Sequence, residues 1–406
     1  MRNTIDGELQ PIEQFVQNEF ASGLSNSSIC ISDEEKMSWA SLFSIEGVGP
    51  QTFYFILNCL KKNRISWSDF WVGKNGLYQK ISIPEKIEVS IKKFKKEYTI
   101  YSYWQLLLSK GISVVSIFDS QYPFLLKKIS DFPPLLFVKG EQNFWNNLPI
   151  AVIGTRKMTS YGRMVTNKIV TELVVNEASI ISGFMYGVDV TAQQTAIKQG
   201  GCTVGVLGYG FDYIFPRHQT YLLQEMLQTK RAVFISEYAP FVSPTKGTFP
   251  RRNRIIAGMS LGVVVAEAGP KSGTQITVGY ALDYGRDVFA VSGPVTSIYH
   301  EGTKQMINQG AVLIGSGNEL LSNLSVKNWG VDYQKKTTHI QEIVTGSLMR
   351  NSLDQAIVDA LRIMPLTTGG LSDQLQVDGL TITKQLAQLE LKGLVKCYGS
   401  YWQTKS

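Results

Sequence analysis

The stretch Phe249 to Ala257, FPRRNRIIA, sets three arginines and an asparagine within four positions, just ahead of the apolar run GVVVAEA. Guanidinium groups are planar forks of donors that stay charged at physiological pH and match phosphate geometry. Arg251, Asn253 and Arg254, with Arg252 among them, therefore read as a site for a polyanion, although a solvated basic turn fits the same four residues. Other donor-rich turns accompany them. Gly154-Thr155-Arg156 offers backbone amides, a hydroxyl and a guanidinium ahead of a helix that begins near Tyr161-Gly162, a suitable cradle for phosphate. Ser182-Gly183, Arg217 and Lys271-Ser272-Gly273-Thr274 add further donors.

Several chemistries find no residues to carry them. GxxxxGK[ST] is absent, which disfavours a P-loop NTPase. Gly208-Tyr209-Gly210 opens like a dinucleotide fingerprint but has Tyr213 where the third glycine belongs. His218, His300 and His339 lack the spacing of a metal site, and the four cysteines, Cys30, Cys59, Cys202 and Cys397, stand singly. Neither a catalytic residue, a metal nor a cofactor is expected.

The elements that must hold these turns are legible from Pro149 onward. PIAVIG, ASIISG, CTVGVLG, AVFISEY, GVVVAEA, DVFAVSG and AVLIGSG read as strands separated by helical segments, most ending on or beside a glycine. Near-continuous apolar strands alternating with helices predict an α/β fold with a parallel sheet covered on both faces. In such sheets the ligand crevice lies outside the carboxyl ends of the strands, where the donor-rich turns fall.

The whole chain has 406 residues, a net charge of +7 and a pI near 9.0, which predicts several domains and an acidic partner. No apolar run reaches the length of a membrane span and MRNTIDGELQ lacks the core of a secretion signal, so a cytoplasmic protein without a membrane role is expected. Residues 1–36 read as a polar extension. Residues 37–110 read as a small helical domain, in which Gly47-Val48-Gly49-Pro50 between two amphipathic helices resembles a helix-hairpin-helix turn or serves as a plain tight turn. Lys92, Lys93, Lys95 and Lys96 form a solvated helix face. A core at 111–325, a linker at 326–350 and a winged-helix-like unit at 351–406 complete the order. The recognition helix of that last unit carries only Lys384 and Lys392 as cations against Glu390, which favours protein contact over groove reading.

From about Tyr122 to Ile314 the chain resembles the DNA-processing protein A family, also called DprA or Smf. The resemblance is carried by YPFLLKKISDFPPLLFVKG, VIGTRKMTSYG, IISGFMYGVDVTAQQTAIKQGG, VGVLGYGFDYIFPRHQ, the long segment through TFPRRNRIIAGMSLGVVVAEAGPKSGTQIT, and GRDVFAVSGP. It implies a Rossmann-like core that binds single-stranded DNA, forms a homodimer and loads a RecA-type recombinase onto incoming DNA in natural transformation. It also implies displacement of single-strand-binding protein or sharing of the strand with it. DNA contacts are then expected at Gly154, Thr155, Arg156, Ser182, Gly183, Arg217, Arg251, Asn253, Arg254, Ser272 and Gly273. The chain departs from the family at Phe184-Met185-Tyr186-Gly187-Val188-Asp189 and at Gln194, where the family has SGxAxGID and a histidine.

Two other functions stay open. A related fold serves phosphoribohydrolases, but Ser272-Gly273-Thr274 is followed by Gln275, Ile276 and Thr277 where a catalytic glutamate is needed, and Glu267 reads as an anchor for that turn. A nucleotide sensor without catalysis shares every feature. Tyr209, Phe211, Tyr213 and Phe215 are spaced to stack on bases, with core packing expected for at least half of them. The segment ITVGYALDYGRDVFAV carries more apolar residues than one helix and one strand need inwardly, which points to a dimer face or to packing within one subunit.

Overall fold

The computed structural model describes residues 31–73, 76–142, 145–270, 272–294, 296–325, 353–363, 366–391, 395–398 and 401–404. The expected linker at 326–350 and nearly all of the polar extension lie outside them. The chain divides into two compact units, Met1–Ser325 and Val326–Ser406.

Among the described residues of the first unit, six helices come first: α1 (Asp33–Phe43), α2 (Pro50–Lys62), α3 (Trp67–Val72), α4 (Leu77–Lys80), α5 (Glu85–Glu97) and α6 (Ile100–Ser109). Ser32 starts α1 with a reciprocal cap: its hydroxyl accepts from the Glu35 amide at 3.2 Å while the Glu35 carboxylate accepts from the Ser32 amide at 3.0 Å. In α5 the buried residues Ile87, Ile91 and Phe94 recur at helical spacing, and the four lysines fall on the solvent side, as their pattern predicts.

A nine-stranded sheet follows: β1 (Ser113–Ser116), β2 (Leu135–Gly140), β3 (Pro149–Ile153), β4 (Ser179–Ser182), β5 (Cys202–Leu207), β6 (Ala232–Ser236), β7 (Gly262–Val265), β8 (Asp287–Val291) and β9 (Val312–Ile314). Their spatial order is β1-β2-β6-β5-β4-β3-β7-β8-β9. All seven strands expected from the apolar runs are present and parallel. Successive strands step one way from β3 to β6 and the other way from β7 to β9. That reversal makes β3 and β7 a topological switch point, where an open crevice forms. The antiparallel pair β1 and β2 extends the sheet beyond β6.

Helices α7 (Ser160–Val175), α8 (Val188–Lys198), α9 (Thr220–Gln228), α10 (Thr248–Gly258), α11 (Thr274–Asp283) and α12 (Glu301–Asn308) connect the strands, and α13 (Gly317–Asn323) follows β9. The segment between β1 and β2 is pinned beneath them. There the Leu125 carbonyl accepts from Arg286 at 3.0 Å, and Asp131 pairs with Arg254 at 3.3 Å and accepts from the Tyr284 hydroxyl at 2.7 Å. These contacts bind the antiparallel edge to the parallel core.

The second unit holds α14 (Leu353–Ile363), α15 (Thr368–Leu375), α16 (Gly379–Leu391) and the antiparallel hairpin of β10 (Val395–Tyr398) and β11 (Tyr401–Thr404). Ile357, Leu371, Ile382, Leu386 and Leu389 form its apolar core. Lys384 is exposed, and Lys392 lies outside the described residues.

Candidate nucleic-acid interface

The loop after β3 is held in place from across the switch point. The Thr155 amide donates to the Glu267 carbonyl at 2.8 Å. The Glu267 carboxylate, fully buried, accepts from the Thr159 amide at 2.8 Å and the Thr159 hydroxyl at 2.6 Å. Glu267 thus anchors the start of α7, and not the 272–274 turn that follows it in sequence. Gly154 is needed for close approach: a Cβ there would stand 2.4 Å from Val188 and 2.9 Å from the Glu267 carbonyl.

A crevice of about 680 Å³ opens at this point. It brings together Gly154, Thr155, Arg156, Asn253, Ser272 and Gly273 of the expected residues. Arg156 is exposed, and its guanidinium lies 5.7 Å from the centre of the Phe249 ring. Thr274, of the donor-rich turn at 271–274, lines it too, and reasoning from sequence missed Lys157, Lys246 and Asp189, which line the same space. The Thr274 hydroxyl is buried and makes no hydrogen bond among the described residues, so it offers an unmet donor and acceptor to whatever enters. Lys157 was visible as the residue after GTR; Lys246 comes from a loop and Asp189 from the first turn of α8, which only the fold brings near.

The arginine run does not act as one patch. An α-helix turns about 100° per residue, and α10 sends its three arginines three ways. Arg251 is half-exposed and lines a neighbouring groove beside the α1–α2 turn. Arg252 lies buried under the crevice, where it donates to the carbonyls of Gly183 and Val206. Arg254 is 2% exposed and paired with Glu237 and Asp131. Its expected contact with an outside anion is not what this packing provides, because both its ionic partners are internal.

Ser182 and Gly183 also sit below the surface. The Ser182 hydroxyl donates to the Val152 carbonyl at 2.7 Å. Gly183 leaves room for its neighbours, since a Cβ would stand 2.6 Å from the Asp189 carboxylate and 2.7 Å from the Arg252 guanidinium. Arg217 is exposed on a 3-10 turn (Arg217–Gln219), outside the crevice lining. Of the four aromatic residues, Tyr209 and Phe211 are buried, whereas Tyr213 and Phe215 are 41% and 38% exposed. Phe215 lines the crevice, 5.7 Å from Phe249 between ring centres.

The floor is electrostatically mixed. Burial pushes the Asp189 carboxyl up to about 6, against the pull of Arg252 and Arg156. Burial likewise lowers Arg252, with Asp189 opposing. A carboxylate that is costly to ionise beside an exposed cation at the rim suits an anion that arrives from solvent.

The family model described as DNA recombination-mediator protein A matches residues 113–325, more than half of the chain. The chain belongs to that family. Among DNA recombination-mediator A proteins, it is 39% identical over 220 residues to DNA processing protein DprA of Bacillus subtilis, covering 54% of this chain and 73% of that one. The DprA of Streptococcus pneumoniae is 40% identical over 207 residues, covering 51% of this chain and 72% of that one. The X-ray structure of DNA processing protein A from Streptococcus pneumoniae superposes with a TM-score of 0.58 at 31% identity, covering 73% of this chain and 99% of that chain. The family match begins at the first antiparallel strand and ends with the first compact unit, so it takes in the switch-point crevice entire.

Proposed function

We propose that this DNA recombination mediator binds single-stranded DNA along the switch-point crevice and presents it to a RecA-type recombinase during uptake of transforming DNA. The observation that carries the binding step is the convergence of Arg156, Lys157, Lys246, Asn253 and the unmet Thr274 hydroxyl on one open cavity at the sheet's switch point. Phosphates would meet the cations and the Thr274 hydroxyl, while Phe215 and Phe249 would take bases on their faces. Ser272 and Gly273 stand at the opposite lip.

Phosphoribohydrolase chemistry is not favoured. The carboxylate at the crevice floor, Asp189, is 8% exposed and packed against Arg252, and Glu267 is engaged with Thr159. A nucleotide sensor has one observation in its favour, since a volume of about 680 Å³ also suits a mononucleotide. Fluorescence anisotropy with a labelled single strand decides between them. The strand reading expects competition by unlabelled single strand well ahead of duplex or mononucleotide; preferential displacement by a mononucleotide would sink it.

The further steps follow the same reading. Homodimer formation is supported by exposed apolar residues, Leu282 on α11 and Val312 and Leu313 on the edge strand β9. The three helices and hairpin of the second unit fit a winged helix in element order, and its few cations suit a protein partner, with sharing of the strand with single-strand-binding protein as part of the handover. Among the described residues no helix is long and apolar enough to cross a membrane; a cytoplasmic setting fits a protein that meets DNA and a recombinase.

A further inference from the structure

The segment from Glu237 to Asn253 lines two cavities. Thr245, Lys246, Phe249 and Asn253 face the crevice. Glu237, Tyr238, Phe241 and Arg251 face a second groove of about 480 Å³, closed on its other side by residues 43–50 at the turn between α1 and α2.

Three features of this groove suit a ligand. The 13-residue helix α2 starts after Gly49 with Pro50 in its first turn and no side-chain cap, so its opening amides and positive dipole end are left for an outside acceptor. The Arg251 guanidinium reaches the same place, 3.3 Å from where a Cβ of Gly49 would stand, with 48% of its side chain exposed. Glu237, 2% exposed, gives one oxygen to Arg254, while its other, Oε1, accepts no hydrogen bond and has Arg251 Nε 3.8 Å away. Arg254 is shared between Glu237 and Asp131, so Arg251 is a second, looser partner of Glu237, and its half-exposed guanidinium is still open to an anion on its outer side.

We propose that the groove is a second nucleotide subsite, continuing the path of a strand that leaves the crevice. A phosphate would seat on the amino end of α2 and Arg251. A base carrying an exocyclic amino group would donate to Glu237 Oε1 beside Tyr238 and the exposed ring of Phe241. Cytosine, adenine and guanine meet that requirement and thymine does not. The inference rests on the crevice being the single-strand site and adds a length and base dependence to it.

The test uses the full chain with oligodeoxycytidylates and oligothymidylates from about 4 to about 16 nucleotides, against two variants. Gly49→Asp supplies a better helix cap than glycine, occupies the amides and pairs with Arg251. Gln51→Glu, at an exposed position, suits the helix dipole while repelling phosphate. Both variants should keep or raise the melting temperature and bind the shortest strands as the unaltered protein does. Both should lose about tenfold in affinity for the longest strands. The unaltered protein should prefer long cytidylate over long thymidylate, and Gly49→Asp should abolish that preference. Unchanged affinity at every length, an equal loss at every length, or no base preference in the unaltered protein would overturn the subsite. In each of those outcomes the unaltered protein still holds short strands, which separates them from failure of the crevice reading, in which it would not.

Discussion

A single arginine illustrates how exposure decides what a charge is for. Arg156 stands at the rim with Phe249 beneath its guanidinium, so Arg156→Ala should leave the melting temperature within a degree or two of the unaltered protein. Its loss should weaken single-strand binding by about 1.5–3 kcal/mol, the usual worth of a charge-assisted contact, or about tenfold to a hundredfold. Arg254 should behave oppositely. Truncating it leaves Glu237 buried without its main counter-ion, at a cost of about 3–5 kcal/mol, so Arg254→Ala should unfold at a much lower denaturant concentration. Equal effects of the two substitutions on binding, in folded protein, would contradict this division. The division was only partly legible in the sequence. FPRRNRIIA announces anion chemistry by composition, but consecutive positions on one helix cannot share a face, and which arginine turns inward depends on Glu237 and Asp131, residues far from it along the chain.

At the scale of the element, α8 begins beneath the crevice and carries Asp189 in its first turn. The carboxyl's folded pKa of about 6 exceeds its ordinary value of 3.8. Between those values the folded protein holds a proton that the unfolded chain has released. Stability therefore falls as pH rises across that window, by roughly 3 kcal/mol for this group at most, and is insensitive to it above the window. Ionisation also places a negative charge below the anion site, so single-strand affinity should strengthen as pH drops through 6. Asp189→Asn should remove the part of that pH dependence due to this group, measured by anisotropy from pH 5 to 8; an unaltered profile would show that Asp189 does not sense the strand. Elements of the parallel sheet were readable because each is an apolar run, most of them ending on or beside a glycine. The antiparallel strands β1 and β2 were not. SVVS is four residues long with serine at both ends, and its partner LLFV lies some twenty residues away behind a proline pair, so neither periodicity nor a tight turn marks the pairing. The crevice floor was equally hidden, because α8 meets β3 only through folding.

For the whole molecule, a net charge of +7 and a cation-lined crevice predict binding that weakens steeply with salt, each phosphate contact adding about 0.7 to the logarithmic slope for a single strand. A homodimer would add a second signature: affinity for long strands well above that for short ones through two linked crevices, without new contacts. Light scattering at micromolar concentration, with the salt series repeated on both lengths, checks the two together; a monomer with no length dependence would remove the dimer. A last consequence comes from the segment pinned between β1 and β2. Asp131 and the Leu125 carbonyl are the answer to two arginines buried in the parallel core, Arg254 and Arg286. The tempting place to trim the chain, just before the parallel sheet at Pro149, would discard both. A fragment of residues 113–325 should express as a soluble, cooperatively melting protein, whereas residues 149–325 should collect in inclusion bodies. The shortest self-sufficient piece of this molecule is therefore set by where two buried charges complete their sets of partners, at Leu125 and Asp131, upstream of the parallel sheet that carries the site.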